Sequence, residues 1–258
     1  ERVNLEQSLK KELIVTNRTG AYANTTIVCC NTRKYHCLLA VPIEQMNWHR
    51  NILLSTLEET LVEHDKKFNL GIHKYGEVFE PRGHKYVVDY SNDPVPTITY
   101  NVGDIVIRKE ILMVKNEDRV LMRYTLLDSN ADITLRLQPY LAFRSIHELT
   151  HCNITADTRY TEIKNGKAFK LYSALPSLNM QVSKKTDYVA NPDWYFGVNY
   201  PEERRRGFDY QEDLFVPGFF EMSMKKGESI IFSAGVEAAD PATFKRKFTT
   251  EMNMIGVN

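Results

Sequence analysis

The feature that most constrains this chain is its rhythm. Short segments rich in Val, Ile, Thr, Tyr and Phe are interrupted by Gly, Pro, Asn or Asp about every eight to twelve residues. That spacing builds antiparallel sheets, because short connections return each strand beside the last. The pattern predicts strands at 11–17 (KELIVTN), 25–30 (TTIVCC), 35–42 (YHCLLAVP) and 52–64 (ILLSTLEETLVEH). Further strands are predicted at 85–90, 96–102, 104–115, 119–128, 131–143, 158–174, 178–184, 193–198 and 219–236. Hairpin turns are expected at Gly103 with Asp104, Asn116 with Glu117, Asn165 with Gly166, and Lys226 with Gly227. About fourteen strands cannot stay one open sheet, so an all-β fold of two large antiparallel sheets packed face to face is expected.

Two stretches read as helical. NLEQSLKKEL (4–13) repeats Leu5, Leu9 and Leu13, and DPATFKRKFTTEM (240–252) offers Asp240 as N-cap, Pro241 at the first helical position and Phe244, Phe248 and Met252 on one face. The second helix either packs back on the sheet or leads into a further segment.

The 258 residues carry 33 Lys plus Arg against 33 Asp plus Glu, so no global field recruits nucleic acid or an anionic membrane. No apolar run is long enough to cross a bilayer. Cys29, Cys30, Cys37 and Cys152 contain no pair at metal-ligand spacing, and free thiols in a reducing, cytoplasmic setting are expected. Dinucleotide, P-loop, nucleophile-elbow and zinc-protease signatures are missing, so no cofactor or metal is expected.

Three polar constellations stand out. Residues 31–40 (NTRKYHCLLA) gather Arg33, Tyr35 and His36 at a strand mouth: a planar donor fork, an apolar face with a hydroxyl, and a donor with an acceptor. They suit a polyhydroxylated ligand or a protein surface, or they are solvated edge decoration. Residues 138–153 carry Arg144, His147 and His151; the two histidines would share a helical face, without a third ligand at a diagnostic spacing. Residues 193–220 supply Trp194 and Tyr195 as stacking faces, with Arg206 near the carboxylates of Glu202, Glu203, Glu212 and Asp213. Glycoside hydrolysis needs two carboxylates about 5 to 9.5 Å apart. With three arginines beside them, ion pairing is the plainer explanation.

Together these stretches resemble a known family. TNRTGAYANTTIVCCNTRKYHCLLA is similar to the opening signature of the amino-terminal domain of prokaryotic-type glycogen debranching enzymes. AFRSIHELTHCN and RRRGFDYQEDLFVPGFF resemble two later segments of that domain, in the same order. Where the family has glycine after the histidine, this chain has Cys37, and its first turn carries Arg18 and Thr19 beside Gly20.

The resemblance implies a galactose-mutarotase-like β-supersandwich over 1–238 and a helical linker at 239–258. That linker would lead toward an (α/α)6 catalytic domain with amylo-α-1,6-glucosidase activity, in which the catalytic carboxylates lie. The implied partners are that domain and an α-glucan: glycogen, a limit dextrin or a maltooligosaccharide. Arg33, Tyr35, His36, Arg144, His147, Trp194, Tyr195, Arg206, Glu212 and Asp213 are the expected glucan or domain contacts, and this chain by itself is expected to be inactive. Other readings are a freestanding carbohydrate-binding module stacking sugar on Trp194, Tyr195 and Tyr35, or a mutarotase-like epimerase using His36 or His147 with Glu212.

Overall fold

The computed structural model describes residues 3–255; the outermost residues of the two expected segments, 1–2 and 256–258, lie outside it. The strands begin with β1 (Glu12–Thr16), β2 (Tyr22–Thr26), β3 (Cys37–Ile43), β4 (His49–Glu63), β5 (Lys66–Asn69) and β6 (Ile72–Tyr75). Next come β7 (Val78–Arg82), β8 (Val87–Ser91), β9 (Thr97–Val102), β10 (Ile105–Met113), β11 (Arg119–Asp128) and β12 (Ile133–Ser145). The series closes with β13 (Tyr160–Ile163), β14 (Gly166–Phe169), β15 (Leu178–Val182), β16 (Asp187–Asn199), β17 (Gln211–Met224) and β18 (Ser229–Gly235). The helices are α1 (Leu5–Ser8), α2 (Pro201–Arg205) and α3 (Phe244–Met254).

All pairings are antiparallel, and the strands form two sheets. One has ten strands in the order β1-β2-β3-β4-β12-β17-β16-β6-β7 with β5 beside β4; the other has eight, β13-β14-β15-β18-β11-β10-β9-β8. Alternation explains why they pack. On β12, Ile133, Leu135 and Leu137 are buried while Thr134, Arg136 and Gln138 are half-exposed. The buried set joins residues such as Ile107, Met122 and Phe232 of the other sheet in one core. An ion pair spans this interior: Lys109 Nζ lies 3.1 Å from Glu59 Oε2, which also accepts the Tyr124 hydroxyl at 2.6 Å.

From Tyr140 onward β12 is buried on both faces, and so is most of β4. A second apolar cluster, including Ile52, Tyr140, Ala142, Leu214 and Val216, covers the outer face of the ten-stranded sheet there. The outer face of the eight-stranded sheet has its own cover. Asp240 accepts the Ala242 N–H, and Phe244 and Phe248 of α3 pack on Leu112, Leu121 and Ile231. The helix expected at 240–252 therefore forms and lies back on the sheet.

Several expectations need correction. The helix expected over 4–13 stops at Ser8, and Leu13 is instead a buried residue of β1, so the i, i+4, i+8 leucines do not share a face. The strand expected at 25–30 ends at Thr26, whose hydroxyl accepts the Cys30 N–H at 3.0 Å and donates to the Cys30 carbonyl at 2.8 Å, closing a turn. Ile27 and Val28 are apolar because they are buried, without being paired in a ladder. The hairpin turn expected at Asn165 with Gly166 falls one residue earlier, since Ile163 pairs with Gly166. Gly166 lies in β14, where a Cβ would stand 1.8 Å from the Met180 carbonyl oxygen, so only glycine fits. Strands β5 to β7 were not expected, and β16 and β17 start well before the predicted 193 and 219.

Candidate functional site

The outer face of the ten-stranded sheet brings together most of the residues the sequence singles out. Its centre is Glu212 on β17, fully buried. Arg144 on β12 grips it in a fork, with Nε donating to Oε2 at 2.6 Å and Nη2 to Oε1 at 3.1 Å. The Tyr200 hydroxyl donates to Oε1, and the Thr150 N–H donates to Oε2 at 3.0 Å. Nη2 of Arg144 also donates to the Lys34 carbonyl at 2.9 Å. One buried carboxylate thus ties the 31–36 turn, the 146–151 loop and the approach to α2. Burial alone would lower the Arg144 pKa; the adjacent Glu212 outweighs it and holds the guanidinium above its ordinary value.

His36 is equally internal. Its Nδ1 accepts the N–H groups of Thr32 and Arg33 at 2.9 and 3.3 Å, so the ring proton sits on Nε2, 2.9 Å from Glu12 Oε1. Arg33 Nε donates to the same Glu12 oxygen at 2.8 Å. Burial lowers the His36 pKa against the pull of Glu12. Burial pushes Glu12 upward, but bonds from His36 and Arg33 leave it below its ordinary value.

What this support presents to solvent is small and aromatic. Tyr35 meets the His147 ring edge-on with centroids 5.7 Å apart, and Lys34 Nζ stands 5.4 Å from the ring centroids of both Tyr35 and Phe208. Phe208 is 55% exposed. Sequence reasoning missed Phe208, although an aromatic residue directly after RRRG was visible.

Glu202, Glu203, Glu212 and Asp213 are committed elsewhere. Glu202 pairs with Arg205, buried Glu203 with Arg206, and Glu212 with Arg144. Asp213 accepts the Gly197 N–H at 3.0 Å on one oxygen and the Cys152 N–H at 3.0 Å on the other. With Glu212 and His36 both sealed from solvent, the epimerase pairing offers no carboxylate for a sugar to touch. His147 rests on Tyr35 while His151 Nδ1 lies 4.0 Å from Asp213, so the two histidines serve different neighbours.

Trp194 and Tyr195 lie away from the hub, Trp194 packed toward the inter-sheet core and Tyr195 toward the outer apolar cluster. They line a cleft of about 760 Å³ with Glu58, His73 and Tyr140, beside the β6–β7 hairpin. His73 Nε2 lies 2.8 Å from Glu58 Oε1 and the Tyr140 hydroxyl 3.3 Å from Oε2, and the His73 ring stacks on Tyr140 with centroids 4.8 Å apart. Burial would raise the Glu58 pKa, but the bonds from His73, Asn69 and Tyr140 set it below its ordinary value. Glu58 and His73 were missed. The available signal was two adjacent carboxylates, Glu58 and Glu59, inside an otherwise apolar strand: one must face each side of the sheet.

A family model described as glycogen debranching enzyme N terminal matches residues 11–231. No curated protein matches the chain significantly in sequence. Among solved structures, a bacterial glucoamylase complexed with acarbose is similar at a TM-score of 0.51 and 9% identity, covering 95% of this chain and 36% of that one. A heparan sulfate lyase HepC mutant from Pedobacter heparinus overlaps 64% of this chain and 21% of its own at 15% identity, with a TM-score of 0.33, too loose to bear on the fold. The glucoamylase likeness speaks to the fold alone, two packed antiparallel sheets. The chain spans 36% of that glucoamylase's length.

Proposed function

The chain belongs to the glycogen debranching enzyme N-terminal family, and from that premise we propose that it is the non-catalytic amino-terminal domain of a debranching-type α-1,6-glucosidase. In this reading it packs on an (α/α)6 catalytic domain and helps shape that domain's α-glucan cleft. The observation that carries the reading is the Glu212 hub. It spends a buried ion pair, a tyrosine hydroxyl and a backbone N–H on fixing loops whose exposed output is Tyr35, His147, Lys34 and Phe208. Loops held by a rigid scaffold, with aromatic faces outward, suit a second protein surface. Glu202, Glu203 and Glu212 are each ion-paired, which suits a supporting role better than general acid and base work. Four unpaired cysteines, two of them buried, agree with a reducing, cytoplasmic location.

The experiment is direct. The purified 258-residue chain, incubated with a limit dextrin, is expected to release no glucose above the blank. Release that disappears on substituting a carboxylate of this chain would overturn the reading.

A further inference from the structure

The cleft lined by Glu58, His73, Tyr140, Trp194, Tyr195 and Phe196 is separate from the Glu212 hub and is built for a ligand of definite chemistry. Its volume of about 760 Å³ falls in the roughly 300 to 1,000 Å³ span of small-molecule sites. Three consecutive aromatic residues of β16 line it: Trp194 and Tyr195, in regular register opposite Phe215 and Leu214, from the inner and outer sides of the strand, and Phe196 from a bulge. The register slips between Tyr195 and Val198, Gly197 adopts φ +68°, and Asp213 accepts the Gly197 N–H at 3.0 Å. This bulge leaves Phe196 62% exposed. An apolar ring of that size is otherwise costly to leave in water, and it sits at the cleft mouth.

Deeper in, the polar groups are fixed. His73 is 6% exposed, and its Nε2–H faces the Glu58 carboxylate at 2.8 Å. Its Nδ1 has no hydrogen-bond partner among the described residues, which leaves a lone pair for a hydroxyl donor. The Tyr195 hydroxyl is held by Gln138 Nε2 at 2.9 Å. Charge is balanced: Glu58 and Glu80 face Arg82 and Lys85 around the lining. A cleft with aromatic faces, a histidine acceptor, fixed hydroxyls and no net charge matches a pyranose ring, whose C–H face stacks while its hydroxyls bond. It matches an anionic saccharide poorly.

We propose that this cleft is a saccharide-binding site of the domain itself, taking a neutral oligosaccharide with a pyranose ring against Trp194 and Phe196 and a hydroxyl on His73. The site goes beyond the docking surface and rests on the preceding reading only for the linkage, which is that of an α-glucan. Asp213 is a positioning residue here, since it holds the bulge and lies outside the lining.

The chain has two tryptophans, and Trp48 is 64% exposed in a turn away from the cleft. In a Trp48→Phe background Trp194 is therefore the sole indole reporter. Titration with maltoheptaose is expected to change Trp194 emission saturably, and Phe196→Ala, at an exposed position, is expected to weaken that binding about tenfold with an unchanged melting temperature. Glu58→Leu, which removes the acceptor that fixes His73, is expected to weaken it further where circular dichroism reports a folded chain.

An emission unmoved by both maltoheptaose and cellopentaose overturns the site and leaves the docking reading intact. A response undiminished by Phe196→Ala also overturns it. Binding of cellopentaose alone keeps the saccharide site and contradicts the α-glucan assignment.

Discussion

At the scale of single residues, Glu212 separates two things that look alike in a sequence. Arg144 and Glu212 are residue types found in sugar sites, and the motifs around them were conspicuous. Yet both are buried, and each spends its hydrogen-bonding capacity on the other and on local backbone. A paired internal carboxylate is expensive to strand. Arg144→Met leaves Glu212 without its cation and is expected to destabilise the fold by about 3 to 5 kcal/mol, read as a lower urea midpoint. Exposed Arg159, paired only with Asp157, serves as control, and Arg159→Met is expected to change the midpoint little. Equal effects of the two substitutions would contradict the hub. Residue identity was therefore legible, while burial was not: nothing local to RSIHELTHCN says that Arg144 points under a loop. Glu58 and His73 were illegible for the complementary reason, since they lie 15 residues apart and meet because β5 runs back along β4, setting Asn69 beside Thr60 just before β6 begins.

At the scale of elements, the long alternating strands were readable because their faces differ in solvent exposure. The ends and edges were not. β5, β6 and β7 are short, polar and at or near a sheet edge, so they carry little period-two signal. TTIVCC reads as a strand by composition, but Thr26 bonds to Cys30 and turns the chain. The 31–36 turn that follows is tied to β1 through His36 and Glu12, and this tie gives the element a pH dependence. The folded His36 pKa lies below its ordinary 6.5, so the unfolded chain binds that proton more tightly. Its contribution is complete above about 6.5 and is lost as pH falls toward the folded value. Glu12, depressed below 4.5, acts in the same sense at lower pH. The melting temperature is expected to fall from pH 7 to pH 5, with a shallower slope in His36→Gln. A residual slope is expected from His84, whose pKa is lowered by burial and by Arg82 and Lys85. An identical slope in the variant would rule out His36 as the source.

At the scale of the whole molecule, two sheets share one core while each outer face has its own cover. α3 closes the outer face of the eight-stranded sheet. The outer face of the ten-stranded sheet carries instead a braced loop surface and a cleft. The two-sheet plan was legible from strand number alone, because so many strands cannot remain one open layer. Which outer face would carry the candidate site was not, because that depends on contacts between segments more than a hundred residues apart, such as Arg144 with Lys34. The central claim is that this braced surface serves a catalytic neighbour. Its most direct test is made in a polypeptide carrying both domains, with Tyr35→Asp and Phe208→Asp combined and kcat/KM measured for glucose release from a limit dextrin. The account predicts a fall of about tenfold or more, with the melting temperature of the 258-residue chain nearly unchanged. An unchanged kcat/KM would contradict it.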